Sequence, residues 1–385
     1  MREIEIDRHN EEVKNVWEAY RGGKPTRVPL IFGINPRFTL NVREANPDGV
    51  TFRAYLDDPA LMLERQLRHL EWVRFHVPQD AEMGYPKDGW PVYVDLQNTY
   101  EAAWLGCPLY FGEDQVPDVS PLLVDDRKQL LFDRGIPDPF TGGIMQKNWD
   151  YFAYFQSQKD FGYTYQGIPL GELTPSAMGT DGPFTIACNV RGATSFLADC
   201  LCDPEFARQL LDFITEATIA RITAYRQHLG LPLKTQGWGF ADDSIQLISE
   251  EMYKDLVFPY HRQLVNAFSE GGPNSIHLCG NATRHFPFLK DHLNIQSFDT
   301  GFPVDFAWLR ETLGPDVEVF GGPSVPFLLN ASVKEVRVEV RRILTSGIME
   351  GGRFTLREGN NLAPGVPLEN LWAMYEEVRE SGMYR

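Results

Sequence analysis

Basic residues are the scarce side of this sequence. There are 36 lysines and arginines against 53 aspartates and glutamates, a net charge of −17 at neutral pH. That balance argues against a nucleic-acid partner, whose phosphates call for positive potential. It also disfavours a highly anionic substrate unless arginines compensate locally. Cysteine is sparse as well. The five present (Cys107, Cys188, Cys200, Cys202 and Cys279) form no paired framework. The opening stretch MREIEIDRHNEEVKNVW is charged and has no signal-peptide core, so a reducing, cytoplasmic setting is expected. No apolar run approaches the roughly 18–20 residues of a membrane helix, so no membrane partner is expected. Low-complexity tracts and internal repeats are also missing.

What is present reads as an α/β protein. Residues 8–21 form an amphipathic pattern stopped by Gly22-Gly23-Lys24-Pro25, and Arg27–Gly33 is a short apolar run, a first buried strand. A helix is expected from about Asp58 to Leu70, and Trp72–Val77 alternates like a strand. Residues 78–180 are rich in Pro, Gly, Asp and aromatics. They read as a loop-rich insertion with local elements, Val92–Asp95 and Asn98–Leu105 among them, that forms walls over a site. From Gly182 the pattern becomes regular. Strands are expected at Pro183–Val190, Lys234–Phe240, Ser275–Cys279, Ile295–Asp299, Val317–Gly321 and Arg353–Arg357. Helices are expected at Asp203–His228, from Ser249, and at Ala282–His292, Val304–Leu313, Ser332–Ser346 and Pro367–Ser381. Such alternation implies a parallel sheet with crossover helices. With seven to eight units in the chain, the expected fold is a TIM-like (β/α)8 barrel, residues 1–385 forming one domain with 78–180 inserted over its C-terminal mouth.

The most informative stretch is Asn274–Gly280, NSIHLCG. Side chains two apart on a strand share a face, so His277 and Cys279 point one way while Ile276 and Leu278 point the other. Imidazole and thiolate both ligate Zn2+ well. The alternative is a buried His and Cys that fill an interior. Polar groups also collect at other strand ends: Asp95, Cys188, Asn189, Asp242, Asp243, Asp299 and Glu358 to Asn361. Carboxylates there can act as acid or base, or can orient His277; each can equally be a cap. Cys200 and Cys202 lie in a helical pattern, where residues i and i+2 do not face each other, so they make a poor metal pair. The aromatic run Trp149–Phe155 can line a pocket or pack the insertion onto the barrel.

Several segments in order resemble the uroporphyrinogen decarboxylase superfamily, which also contains zinc-dependent methyltransferases serving corrinoid proteins. They are Ala102–Pro108 with Pro117 to Pro121, Gly182–Thr185, Ile248–Tyr253 through Pro259-Tyr260, Ile276–Gly280, and Pro364–Leu371. The tail P-x-x-P-x-E-N and the H-x-C-G strand are the most specific. The resemblance implies a TIM-like barrel. True decarboxylases look like R-x-P-x-W-x-M-R-Q-A-G-R near the N-terminus, whereas here Ile34 and Phe38 stand where the last two arginines belong and Arg37 is one place off. The H-x-C pair therefore favours the methyltransferase branch. That branch's third zinc ligand is a cysteine just before the tail motif. Asn360 occupies that place here, and a neutral amide is a poor zinc ligand. The expected metal set is accordingly His277, Cys279 and Glu358.

The function this implies is transfer of a methyl group between a small methylated substrate, an aryl or alkyl methyl ether, and a corrinoid carried by a partner protein. Zn2+ would sit at the barrel mouth, and Asp243 or Asp95 would supply proton transfer or orientation. Asp95 falls near the family's pyrrole-binding aspartate. A homodimer stays open. The alternatives are metal-independent decarboxylation of uroporphyrinogen or another carboxylated ring, and a barrel that binds a small molecule or corrinoid protein without catalysis.

Overall fold

The computed structural model describes residues 5–112, 115–125 and 127–384. Helix α1 (Ile6–Arg21) buries His9, Val13, Val16 and Tyr20, a stripe spaced three and four residues apart. Helix α2 runs from Pro59 to His76, with the Asp58 carboxylate accepting from the Ala60 and Leu61 amides. It therefore takes in all but the last residue of the expected strand Trp72–Val77. Alternation over six residues misled, because Trp72 and Val73 continue the buried stripe of Met62, Gln66 and His69 by a further turn.

The next stretch holds β1 (Trp90–Tyr93), α3 (Met145–Asp160) and β2 (Ile168–Thr174), and β1 pairs with β2 in parallel. Pro183–Val190 is not a strand but most of helix α4 (Pro183–Arg191). Proline at the first helical position needs no amide partner. The remaining amides at the start of α4 are met by a carboxylate from a distant strand end, Asp242, which accepts from Phe184 N at 3.0 Å and Thr185 N at 2.8 Å. Helix α5 (Ala193–Cys202) and the long helix α6 (Pro204–His228) follow.

From here strand and helix alternate in the expected order, although the first strand covers only the end of the expected Lys234–Phe240 run: β3 (Gly239–Ala241), α7 (Phe258–Phe268), β4 (Asn274–Leu278), α8 (Phe286–Leu293), β5 (Ile295–Thr300), α9 (Phe306–Leu313), β6 (Glu318–Gly321), α10 (Val333–Ile343), β7 (Phe354–Leu356) and α11 (Leu368–Ser381). Strands β3 to β7 form one parallel sheet in sequence order. Ser332 and Glu335 make a reciprocal capping box at the start of α10. Beyond β7 the sheet is extended by residues 28–33, where Leu30 bridges Leu356 and the Ile31 amide donates to the Leu356 carbonyl at 3.1 Å. Beyond β3, the Ala241 amide donates to the Thr180 carbonyl at 3.2 Å. The fold is a TIM-like barrel. Among the described residues its ladder is continuous over five strands and is carried on by single bridges and hydrogen bonds at either side.

The outer sheet face is apolar. Ile276, Leu278, Phe298, Val319, Phe354 and Leu356 are buried beneath the helices, and Phe286 of α8 stacks on Phe298 at 4.4 Å. Each such side chain contributes about 1.5–3 kcal/mol on burial. The inner face is polar. Ser297 Oγ donates to Glu318, and Tyr20 of α1 donates to the same carboxylate from the N-terminal end. All five strands finish together at the opposite end, where chemistry sits in barrels of this kind. No helix among the described residues is long and apolar enough to cross a membrane.

Candidate metal centre

Parallel pairing sets Ala241 of β3, His277 of β4 and Asp299 of β5 side by side at the C-terminal rim. His277 Nδ1 lies 2.7 Å from Asp299 Oδ2, and His277 Nε2 lies 3.0 Å from Cys279 Sγ. Just past β3, Asp243 Oδ1 accepts the Cys279 amide at 2.7 Å and stands 4.0 Å from His277 Nε2. The turn after Cys279 needs glycine. Gly280 has φ +70°, and a Cβ there would run into the Gln246 side chain.

Adjacent aspartates divide the labour. Asp242 is fully buried. Besides capping α4, it accepts from Thr185 Oγ1 at 2.7 Å and pairs with His261 Nε2 at 2.8 Å. Asp243 is half-exposed and faces the site. The result is a group of one nitrogen, one sulfur and one carboxylate oxygen, all within 4.8 Å of one another.

The electrostatics of this group favour a cation. Burial pushes the Cys279 thiol far above its ordinary range, and the charges of Asp243 and Asp299 push it further. For His277, burial pulls downward, but the hydrogen bond and charge of Asp299 outweigh it and raise the imidazole. A thiol beside two carboxylates is a poor nucleophile, yet with a divalent ion present the same three atoms become ligands. Tetrahedral zinc with bonds of about 2.0–2.3 Å holds its ligand atoms roughly 3.3–3.8 Å apart. The observed 3.0 and 4.0 Å separations bracket that spacing. The donor set fits zinc, and Asp299 on Nδ1 leaves Nε2 as the ligating nitrogen.

Of the three residues expected to hold metal, His277 and Cys279 come together here and Glu358 does not join their group. Glu358 is fully buried, and its Oε1 accepts from the Gly33 amide at 2.8 Å and from Arg357 at 3.2 Å. Burial raises its carboxyl to about 7 against the opposing pull of Arg357. The carboxylate oxygen that lies with them belongs to Asp243, expected from the sequence in an acid–base or orienting role. Asn360 has φ +83°, and its side chain accepts the Asn361 amide. Asp95, past the end of β1, is buried and accepts from Tyr55 Oη at 2.9 Å and Gln97 N at 3.0 Å. Burial raises its carboxyl, only partly offset by those hydrogen bonds.

Two groups near the centre were not foreseen. Arg357 donates to Asp299 Oδ2 at 2.6 Å. Asp181 is pushed up to about 8, first by burial and then by the charges of Glu101 and Asp243. Its segment is pinned by a buried pair, Arg221 to Glu101 at 2.5 Å, with Glu101 accepting the Asp181 amide at 2.7 Å. The signal available in the sequence was Thr180-Asp181-Gly182-Pro183, a polar stretch before a proline-started helix.

A parallel barrel with a His–Cys–carboxylate group on its C-terminal rim defines the class. The chain belongs to the uroporphyrinogen decarboxylase (URO-D) family, whose model matches residues 12–381. It is similar to the methylated-thiol–coenzyme M methyltransferase of Methanosarcina mazei, at 29% identity over 210 residues, 53% of this chain and 52% of that protein. It is also similar to methylcobamide:CoM methyltransferase MtaA of Methanosarcina barkeri, at 25% identity over 53% of this chain and 58% of that one. The chain thus spans only about half the length of the curated relatives it matches. A solved methyltransferase structure from Methanosarcina mazei superposes with a TM-score of 0.65 at 20% identity, covering 96% of this chain and 98% of the other, a likeness of fold.

Proposed function

We propose that this protein is a zinc-dependent methyltransferase that moves a methyl group between a small methylated substrate and a corrinoid held by a partner protein. The observation that carries this reading is the convergence of Asp243, His277 and Cys279 on one point of the barrel rim, with Asp299 orienting the imidazole. The names of the methyltransferase relatives support the same reaction class. Zinc bound there supplies a Lewis acid that polarises a methyl-bearing oxygen or holds a nucleophile deprotonated. The chain's own residues do the rest. His277 presents Nε2, Asp243 and Cys279 supply negative charge, and Asp181, its carboxyl pushed up to about 8 first by burial and then by the charges of Glu101 and Asp243, offers a proton to the site. Asp95 is committed to Tyr55 and Gln97, so we assign it to orientation of the pocket wall.

A methyl ether, neutral and small, suits a rim where carboxylates outnumber arginines better than an octa-anionic porphyrinogen does. We read residues 1–385 as one barrel domain with 78–180 over its mouth. The five unpaired thiols support a cytoplasmic setting.

Elemental analysis of purified protein beside Cys279→Ala tests the proposal. About one zinc per chain, lost in the variant, is expected of a three-ligand site. Methyl transfer to a reduced corrinoid protein should then depend on that zinc. Protein that carries and takes up no zinc would sink the reading and leave decarboxylation or simple binding.

A further inference from the structure

Building on that zinc reading, we infer that Arg357 is the positioning residue of the metal centre, acting on His277 through Asp299. The contacts form one line around the rim. His277 Nδ1 meets Asp299 Oδ2 at 2.7 Å, Arg357 Nη1 meets the same oxygen at 2.6 Å, and Arg357 Nη2 meets Glu358 Oε1 at 3.2 Å. Glu358 Oε1 is fixed in turn by the Gly33 amide at 2.8 Å. The line crosses from β4 to β5, skips to the end of β7, and finishes on the first extended segment.

Each link constrains the one before it. A carboxylate with two free oxygens can rotate and offer either one to an imidazole. Here Oδ2 receives both donors, while Oδ1 is buried and has no protein partner. Arg357 therefore decides which oxygen faces His277. A carboxylate on Nδ1 keeps the proton on that nitrogen and directs the Nε2 lone pair toward Cys279 and Asp243. Arg357 is itself mostly buried, with its side chain 12% exposed, so its position is set by the two carboxylates and not by solvent. Close packing keeps the line taut. A Cβ on Gly33 would lie 2.6 Å from Glu358 Oε1 and 2.7 Å from Asn361 Oδ1, and would overlap the Arg357 guanidinium. Glu358 thus serves as an anchor for Arg357, at the far end of the line from His277.

The test is zinc affinity by competition with a chelator, together with the His277 15N shifts in metal-free protein. Wild type, Arg357→Met, Arg357→Lys, Glu358→Gln and Cys279→Ala are compared after a folding check by circular dichroism. Loss of a partner that orients a ligand weakens a metal site by about 10–100-fold. Arg357→Met should fall in that range and shift the His277 nitrogens toward a mixed tautomer. Arg357→Lys, which keeps one donor, should recover part of both effects. Glu358→Gln should weaken zinc less than Arg357→Met does.

Unchanged affinity and unchanged shifts in Arg357→Met would overturn the assignment. So would a loss in Glu358→Gln as deep as in Cys279→Ala, because that would put Glu358 on the metal. If wild type binds no zinc, the zinc reading fails by itself. The 15N shifts of metal-free Arg357→Met still decide whether Arg357 sets the imidazole.

Discussion

Arg221→Met should expose how the site's acidic segment is held. Arg221 of α6 is fully buried and reaches Glu101 at 2.5 Å, the Gly179 carbonyl at 3.0 Å, and the Ala177 carbonyl. Methionine keeps much of the volume but removes every donor. A buried carboxylate left without its partner costs about 3–5 kcal/mol. The two carbonyls stripped of a donor add roughly 1 kcal/mol each, partly overlapping with that figure. A loss of about 4–6 kcal/mol is expected, read by urea unfolding at pH 8.

Two further readouts follow from the cause. Adding Glu101→Gln removes the stranded charge while keeping a carbonyl for the Asp181 amide, so the double variant should regain about 2 kcal/mol or more. The deficit should also depend on pH. Burial already raises the Glu101 carboxyl in the folded protein, and losing Arg221 raises it further. A carboxyl raised on folding costs nothing below its unfolded value, near 4.3, and costs most above its folded value. The deficit of Arg221→Met should therefore shrink as pH falls from 8 toward 4.5. A deficit that is flat across that range, or a double variant no more stable than the single, would refute the reasoning.

Asp242→Ala should destabilise by about 3 kcal/mol, since it uncaps α4 and leaves His261 buried without its acceptor; thermal melts beside Asp242→Asn measure it. Asp181→Asn should change the pH profile of stability. The acid is raised to about 8 on folding, so Asp181 costs wild type stability as pH rises from about 4 toward 8, a share of the pH-dependent loss that the amide variant escapes. The stability of the variant minus that of wild type should grow through that window and level off above it. A constant difference would show that Asp181 titrates normally.

Much of the architecture was readable because the second half of the chain alternates strongly and its helices carry local stop and start signals, such as Ser332 with Glu335. The His277–Cys279 pairing was readable for a simpler reason, the two-residue repeat of a strand. Where reading failed, the deciding contact came from far away. Helix α4 owes its start to Asp242, nearly sixty residues downstream of Phe184. Trp72–Val77 fits a strand by local alternation and a helix by the burial stripe of α2, and packing chose the second. Arg357 matters through a neighbour set by strand register, which leaves no local trace, and Asp181 through a segment held by the distant Arg221–Glu101 pair. The contact that fixes Glu358 Oε1 comes from the Gly33 amide, 325 residues away, which no local pattern announces.

That last separation has a bearing on how the protein reaches its native state. The His277–Asp299 contact spans 22 residues and can form as soon as β4 and β5 pair, whereas the Arg357–Asp299 contact waits for β7, 58 residues later. The anchor between Glu358 and Gly33 requires the first extended segment and the last strand to find each other across nearly the whole chain. Contacts of such long range carry the larger loop-closure cost and are expected to form after the local ones. A partly folded chain can hold the imidazole and the thiol together while the line that orients them is still missing. On loop-closure cost alone, the complete rim is expected to form after its His277–Asp299 core.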